Sequence, residues 1–316
     1  MQHANQSKLM ELYLQGITEI SELQTPLFLV FLSIYLLTLA GNVLIIIIIC
    51  LDPRLYKPMY YFLCNLSFLD FSLASAIQPK CLVMLVTRIH SISYNGCITQ
   101  LYFFMFLTAA EFFLLAAMAY DRYIAICKPL QYHLLMNYKV CTVMSAACWV
   151  AGMLEPLSHV RAFVQLPLQT AQINHFYCDY SALLKISSTD TRRIEVMTYL
   201  AGALVGMPAF SLTIASYVSI IAAIVKINSS QSRQKAFSTC VSHLTVVFLF
   251  YSTVLITIMQ PISNYSSTHG KLVSLLYTIF VPSINPFIYT LRNQDVKRSF
   301  YKAKSKSING RIRQLI

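Results

Sequence analysis

Long apolar runs separated by short polar segments dominate this chain of 316 residues. Crossing the hydrocarbon of a bilayer takes about 20 apolar residues in a helix. Seven runs reach that length: 27–50, 58–82, 97–125, 140–160, 196–225, 236–259 and 272–291. The first, fifth, sixth and seventh contain no Asp, Glu, Lys or Arg. The pattern predicts an all-α membrane protein, a bundle of seven transmembrane helices, with no internal repeat and no second domain. Pro53 and Pro58 bracket the first turn and Pro129 marks the second. Pro79, Pro156, Pro208, Pro282 and Pro286 fall within or near the ends of predicted helices, where a bundle tolerates a kink.

Composition agrees: 57% of residues are apolar and 11% charged, against about 25% charged in soluble domains. The net charge of +12 would suit nucleic acid, but its placement assigns it to topology. With the N-terminus outside, 16 of the 24 basic residues fall in inner segments, with only Asp52, Asp121 and Asp295 as acids there. An excess of Lys and Arg in short loops on one side sets orientation, so no nucleic-acid partner is expected. The chain divides into an outer tail (1–25), a seven-helix bundle (26–292) and an inner tail (293–316). In the inner tail, Val296 and Phe300 stand four apart among basic residues, as in a short amphipathic eighth helix lying on lipid. The outer tail has no early apolar core, so the first membrane helix is expected to serve as its own insertion signal. It carries the one well-placed glycosylation acceptor, Asn5-Gln6-Ser7.

The chemistry sits at a few interruptions. Of nine cysteines, only Cys97 and Cys178 fall on the outer side, where an oxidising compartment favours a disulfide. Asp70, Glu111, Glu155 and His243 break apolar runs, and such residues are costly unless they have a role. Asp70 and Glu111, both mid-run, would share a water-filled site with a cation such as sodium, or would be protonated acids that fix packing. Glu155 lies nearer the outer end of its helix, within reach of solvent. His243 and Arg122 both lie near the inner ends of their helices, which leaves a contact open; no second ligand is near enough to His243 for a metal site. From Cys97 to Arg122 runs roughly 37 Å of helix, linking the outer disulfide to the Asp121–Arg122 pair. Along its outer half Leu101, Phe104, Met105, Thr108 and Phe112 form an apolar stripe. Met207, Phe210 and Ser211 on the fifth helix, with Tyr251, Val254, Leu255 and Ile258 on the sixth, offer a matching lining. Together they describe a pocket for a small neutral molecule with one polar group.

Asp121-Arg122-Tyr123, Gly41-Asn42, Asp70, Trp149 and Asn285-Pro286-Phe287-Ile288-Tyr289 resemble the motifs of rhodopsin-like G-protein-coupled receptors. Four longer stretches, 58–67, 118–132, 235–244 and 282–293, resemble vertebrate olfactory receptors, and the resemblance covers about residues 20–303. It implies an odorant bound between helices 3, 5, 6 and 7 by Phe104, Met105, Thr108, Phe210, Ser211, Tyr251, Val254, Leu255, Ile258 and Thr278. It also implies a stimulatory, olfactory-type heterotrimeric G protein and cyclic AMP. Asp121, His243 and Tyr217 would hold Arg122 at rest, and Tyr123, Asn285, Pro286 and Tyr289 would take part in the switch. No enzymatic activity and no cofactor beyond that cation are implied. The family often carries a second outer-loop disulfide; Leu168 and Ser188 stand there instead. Phe104 also occupies the place where amine receptors of the wider class carry an aspartate. A chemoreceptor used outside olfactory tissue would share every one of these features. A transporter would want a charged pathway through several helices, and only Asp70 and Glu111 stand near the centre.

Overall fold

The structure, a computed structural model, describes residues 11–18, 20–187, 191–259, 267–292 and 296–300. Six helices are long and apolar enough to cross a membrane. They are α1 (Ser21–Leu51), α2 (Pro58–Thr87), α3 (Tyr94–Cys127), α4 (Tyr138–Val164), α5 (Arg192–Val225) and α7. The last is built of Ser267–Leu275, a π-helical turn at Leu276–Phe280, and Val281–Arg292. Between α5 and α7 lies α6 (Ser230–Met259), which begins with polar and basic residues and continues into an apolar stretch that includes His243–Ile256. These seven helices are the ones predicted. α5 starts four residues ahead of its apolar run and contains a second π turn at Gly202–Gly206.

α3 runs through the middle of the bundle and packs against α2, α4 and α5. Between helices in lipid, close approach and buried hydrogen bonds do the work that hydrophobicity does in water. Gly152 of α4 lies directly on Ala110 of α3; a Cβ there would sit 2.6 Å from the Ala110 backbone nitrogen. Gly41 of α1 likewise receives Pro286 of α7, whose Cβ would be 3.0 Å from an added methyl. Asn65 of α2 accepts two bonds from α4 through Oδ1, from Ser145 Oγ at 2.9 Å and from Trp149 Nε1 at 3.0 Å. Asn42 Nδ2 of α1 donates to the Pro282 carbonyl at 3.2 Å.

A small sheet caps the end of the bundle that carries Cys97. β1 (Glu11–Leu14) lies between β2 (Ser91–Ser93), antiparallel with Glu11 opposite Ser93, and β3 (Gln172–Ile173), parallel with Tyr13 opposite Gln172. Leu12 and Leu14 point into the core while Glu11 and Tyr13 are exposed, the period-two alternation of a strand with one buried face. Part of the predicted outer tail is therefore structural; Asn5 lies outside the described residues.

At the opposite end, residues 296–300 are helical with Val296 and Ser299 buried and Lys297 and Arg298 exposed, an amphipathic turn. Ser299 Oγ donates to Asp52 Oδ2 at 2.7 Å, which fastens this turn to the loop after α1. Arg54 also grips Asp52, at 2.8 Å, and the two donors hold that carboxyl well below the usual range.

Candidate functional site

A cavity of about 210 Å³ opens near the Cys97 end, between α3, α4 and α5 and bordered on one side by Asp179, Tyr180 and Ser181 of the loop after α4. Its apolar wall is Phe104, Met105, Ala109, Phe112 and Phe113 of α3 with Val205 of α5, Val254 of α6 and Tyr277 of α7. Its other wall is polar: Glu155 and His159 of α4, Asp179 and Tyr180 of the loop, Glu195 and Thr198 of α5.

The loop is fixed over the cavity by several bonds. Cys97 and Cys178 form the expected disulfide, with their Cα atoms 5.4 Å apart. Gln100, one turn along α3, accepts from the Cys178 backbone N–H at 3.0 Å and donates to the Ala76 carbonyl of α2 at 2.9 Å. Tyr177 carries its hydroxyl to Tyr277 of α7 at 3.0 Å and to Asp179 at 3.2 Å. Asp179 caps the short helix Tyr180–Lys185 by accepting from Ala182 N–H at 3.0 Å. Tyr180 hydroxyl meets Thr198 Oγ1 of α5 at 2.7 Å. Burial, with Glu155 and Glu195 adding to it, pushes the Tyr180 phenol up to about 12, so both carboxylates act on one hydroxyl. Where the family's second bridge is missing, Leu168 pairs with Ser187 through backbone bonds, and Gln169 N–H reaches the Ile186 carbonyl at 2.8 Å. Ser188 itself lies outside the described residues.

Of the residues expected to bind ligand, Phe104, Met105, Thr108 and Val254 line this cavity. Tyr251 instead donates to the Phe112 carbonyl at 3.0 Å and meets Thr213 Oγ1 at 3.3 Å, which turns its hydroxyl into the α3–α5–α6 contact. Phe210 stacks edge-on against Tyr251, 5.4 Å between centroids. Ser211 is exposed on the outside of the bundle, and Thr278 is buried with its hydroxyl on the Ser274 carbonyl at 2.6 Å. Leu255 is half-buried and not part of the lining. The side chain of Ile258 lies outside the described residues. Sequence reasoning put the pocket between α3, α5, α6 and α7; this cavity lies on the α3 stripe and extends toward α4, because α5 starts early and brings Glu195 and Thr198 to it. The signals for the missed wall were Glu155 and His159, four apart on one helix face, and Asp179 beside Cys178.

At the far end of α3, Arg122 donates to Asp121 Oδ2 through both Nε, at 3.0 Å, and Nη2. Tyr132, in the following loop, donates to Asp121 Oδ1 at 2.9 Å. Burial and the Asp121 charge hold this phenol well above its ordinary range. Tyr217 of α5 and His243 of α6 bond to each other through the hydroxyl and Nδ1, both in the field of Arg122. The expected clamp on Arg122 therefore divides into two pairs, Asp121 with Arg122 and Tyr217 with His243, and no hydrogen bond joins them among the described residues. Tyr123 stands half-buried beside Tyr120 with Lys128 over its ring. Midway along the bundle Asp70 accepts from Asn285 Nδ2 at both oxygens, 3.1 and 3.0 Å, with Glu111 as its electrostatic neighbour. Glu111 Oε1, Asn285 Oδ1 and the Tyr289 hydroxyl are buried there without partners. No cluster of three metal-ligating side chains occurs among the described residues.

Seven apolar helices, a disulfide-pinned loop over a cavity, and an acid–base pair at the opposite end of the central helix define a membrane receptor of the rhodopsin-like type. Residues 31–306 match the olfactory receptor family. Human olfactory receptor 1N1 is 45% identical over 93% of this chain and 94% of its own length. Mouse olfactory receptor 5AR1 is 43% identical over 96% of this chain and 98% of its own, and rat olfactory receptor 1 is 44% identical over the same shares. The chain belongs to the olfactory receptor family, and it is a multi-pass protein of the plasma membrane.

Proposed function

We propose that this chain is an odorant receptor that binds a small, largely apolar molecule in the cavity beneath the 165–191 loop and activates a stimulatory, olfactory-type G protein to raise cyclic AMP. The observation that supports this most is that one helix, α3, both lines the cavity with Phe104, Met105, Thr108 and Phe112 and carries Asp121 and Arg122 at its other end. A ligand shifts such a system only by preferring one of two states. On this reading the bonds to release are Asp121 with Arg122, Tyr132 with Asp121, and Tyr217 with His243. In this reading Arg122, once freed, meets the G protein, and the hinges lie at Pro286 and at the π turns of α5 and α7.

The unpartnered oxygens of Glu111, Asn285 and Tyr289 around Asp70 suit a small cation with water, so we assign a sodium ion to that place in the resting state. The donor set is all oxygen, which is what a hard cation requires.

The test is cyclic AMP in cells carrying this chain and an olfactory-type G protein, with Arg122→Ala in parallel. The expected result is a dose-dependent response in the parent that is lost in the variant at equal surface level. A response that survives in the variant would remove Arg122 from the coupling path. No response to any ligand at verified surface level would overturn the odorant reading itself.

A further inference from the structure

The polar wall of the cavity has a chemistry of its own. Glu155, Asp179 and Glu195 supply three carboxylates to one cavity, and its lining holds no Lys or Arg. Lys185, Arg192 and Arg193 are exposed and stand outside the lining. The protein bonds satisfy these acids only in part. Asp179 takes Tyr177 hydroxyl and Ala182 N–H, and Glu195 Oε1 takes Thr191 hydroxyl at 2.7 Å. The Glu155 carboxylate lies 3.7 Å from His159 Nδ1. The second observation is His159 itself. Its side chain is 2% exposed, it lines the cavity, and its Nδ1 faces the Glu155 carbonyl at 3.4 Å. Nε2 has no hydrogen-bond partner among the described residues. A histidine only 2% exposed at the cavity wall, beside carboxylates with capacity to spare, forms a recognition surface for a polar head.

The geometry points to an amine, protonated and carried on an apolar body, as the ligand class of this cavity, its ammonium between Glu155 and Glu195 and its body against Phe104, Phe112 and Val254. This rests on the reading of the cavity as the odorant site. An ammonium has three N–H donors and no acceptor, so it matches acceptor-only carboxylates where a ketone or ester has no proton to offer. An alcohol would serve one acceptor and leave the negative charge in place, and an unpaired buried charge is costly. A carboxylate ligand would meet like charge at short range in a space of low dielectric. The aspartate of amine receptors is absent at Phe104, so the acidic partner comes from α4 and α5 on the other side of the same cavity.

The test uses two matched sets, phenethylamine, phenethyl alcohol and phenylacetate, and heptylamine, heptanol and heptanoate, read as cyclic AMP in cells carrying the full chain. Each set keeps one skeleton and changes only the charge of the head. The expected order is amine first by tenfold or more, then alcohol, with the acid inactive. Glu155→Gln and, separately, Glu195→Gln are expected to lower amine potency at least tenfold and to narrow the ratio of amine to alcohol potency, with surface level measured to show that the variants fold. An alcohol or acid that matches or exceeds its amine would overturn the inference while leaving the odorant reading intact. Amine potency unchanged in both variants would overturn it as well. Silence to all six compounds at verified surface level would overturn it, and an accompanying response to unrelated neutral odorants would keep that failure separate from a failure of the odorant reading.

Discussion

At the Cys97 end of α3 the side chains stand around a space of about 210 Å³, whereas at the Arg122 end they are bonded to one another. The first end keeps polar groups without partners, such as Thr108 Oγ1. At the second, Asp121 is bonded through both oxygens, to Arg122 and to Tyr132, and Tyr217 and His243 close on each other. In the proposed mechanism one end is stabilised by being filled and the other signals by being opened. A ligand therefore acts by forming interactions at one end that outweigh the hydrogen bonds broken at the other. The loop must hold its place for that exchange to be transmitted, and this makes the Cys97 end the more damaging one to break.

Cys97→Ser removes the disulfide and frees the chain between two positions that are 81 apart in sequence. Loop-closure entropy puts the loss on the order of 4 kcal/mol, and the Gln100 bond to Cys178 N–H would go with it. The expected outcome is a chain that reaches the cell surface at a small fraction of the normal level and does not respond. Surface against total protein by flow cytometry is the measurement. Normal surface level with normal potency would show that Gln100, Tyr177 and the small sheet hold the loop unaided.

His175 offers a reversible way to disturb the same end. It is fully buried, stacked on Phe176 with its ring edge-on to Tyr177. Burial, with some help from Lys271, pulls it down from 6.5 to about 4, against an opposing pull from Asp179. The folded loop then holds a neutral ring at a pH where the unfolded loop would take a proton. Stability is complete above about pH 6.5, falls as pH drops toward 4, and changes no further below that; the full span is on the order of 3 kcal/mol. Ligand potency should fall as the bathing pH is lowered from 6.5 to 5, and His175→Phe, which keeps the ring and cannot titrate, should flatten that slope. Equal slopes in the two proteins would place the sensitivity elsewhere.

Between the ends, Gly152 lies on Ala110 with no room for a methyl group. Gly152→Ala must push α4 from α3 and is expected to cost about 2 kcal/mol, as overpacking does. The thermal midpoint of the solubilised receptor should fall. Because α4 also carries Glu155 and His159, amine potency should fall with it, while basal signalling, set at the Arg122 end, should stay the same.

How far the molecule was readable from its residues follows the same division. The helices were legible because apolar length is a local property, and the disulfide because only two cysteines share a compartment. The strand at Glu11–Leu14 was not, since four alternating residues are too few to mark a strand and their partners lie near residues 92 and 172. Of the cavity, the α3 stripe was legible from its spacing. The acidic wall was not, because Glu195 stands just outside the apolar run that marked the fifth helix, and Asp179 looked like a loop residue. At the Arg122 end the residues were legible but not their pairing, since which of Tyr217 and His243 faces the arginine depends on helix rotation that no spacing fixes.

The smallest effect tests the resting restraint itself. Tyr132→Phe deletes one hydroxyl, that which donates to Asp121 Oδ1, and leaves the half-buried ring in place. A bond to a charged acceptor contributes on the order of 1 to 2 kcal/mol. Asp121 would keep Arg122 but hold it less firmly, so the balance should move toward the signalling state without any ligand. The expected outcome is a few-fold rise in basal cyclic AMP with a modest gain in agonist potency, and no change in the ratio of amine to alcohol potency. The last clause is the decisive one, since the head-group preference is set at the other end of α3. If Tyr132→Phe altered that ratio, recognition and release would not be separable along the helix. If basal signalling fell, Tyr132 would belong to the active arrangement rather than the resting one.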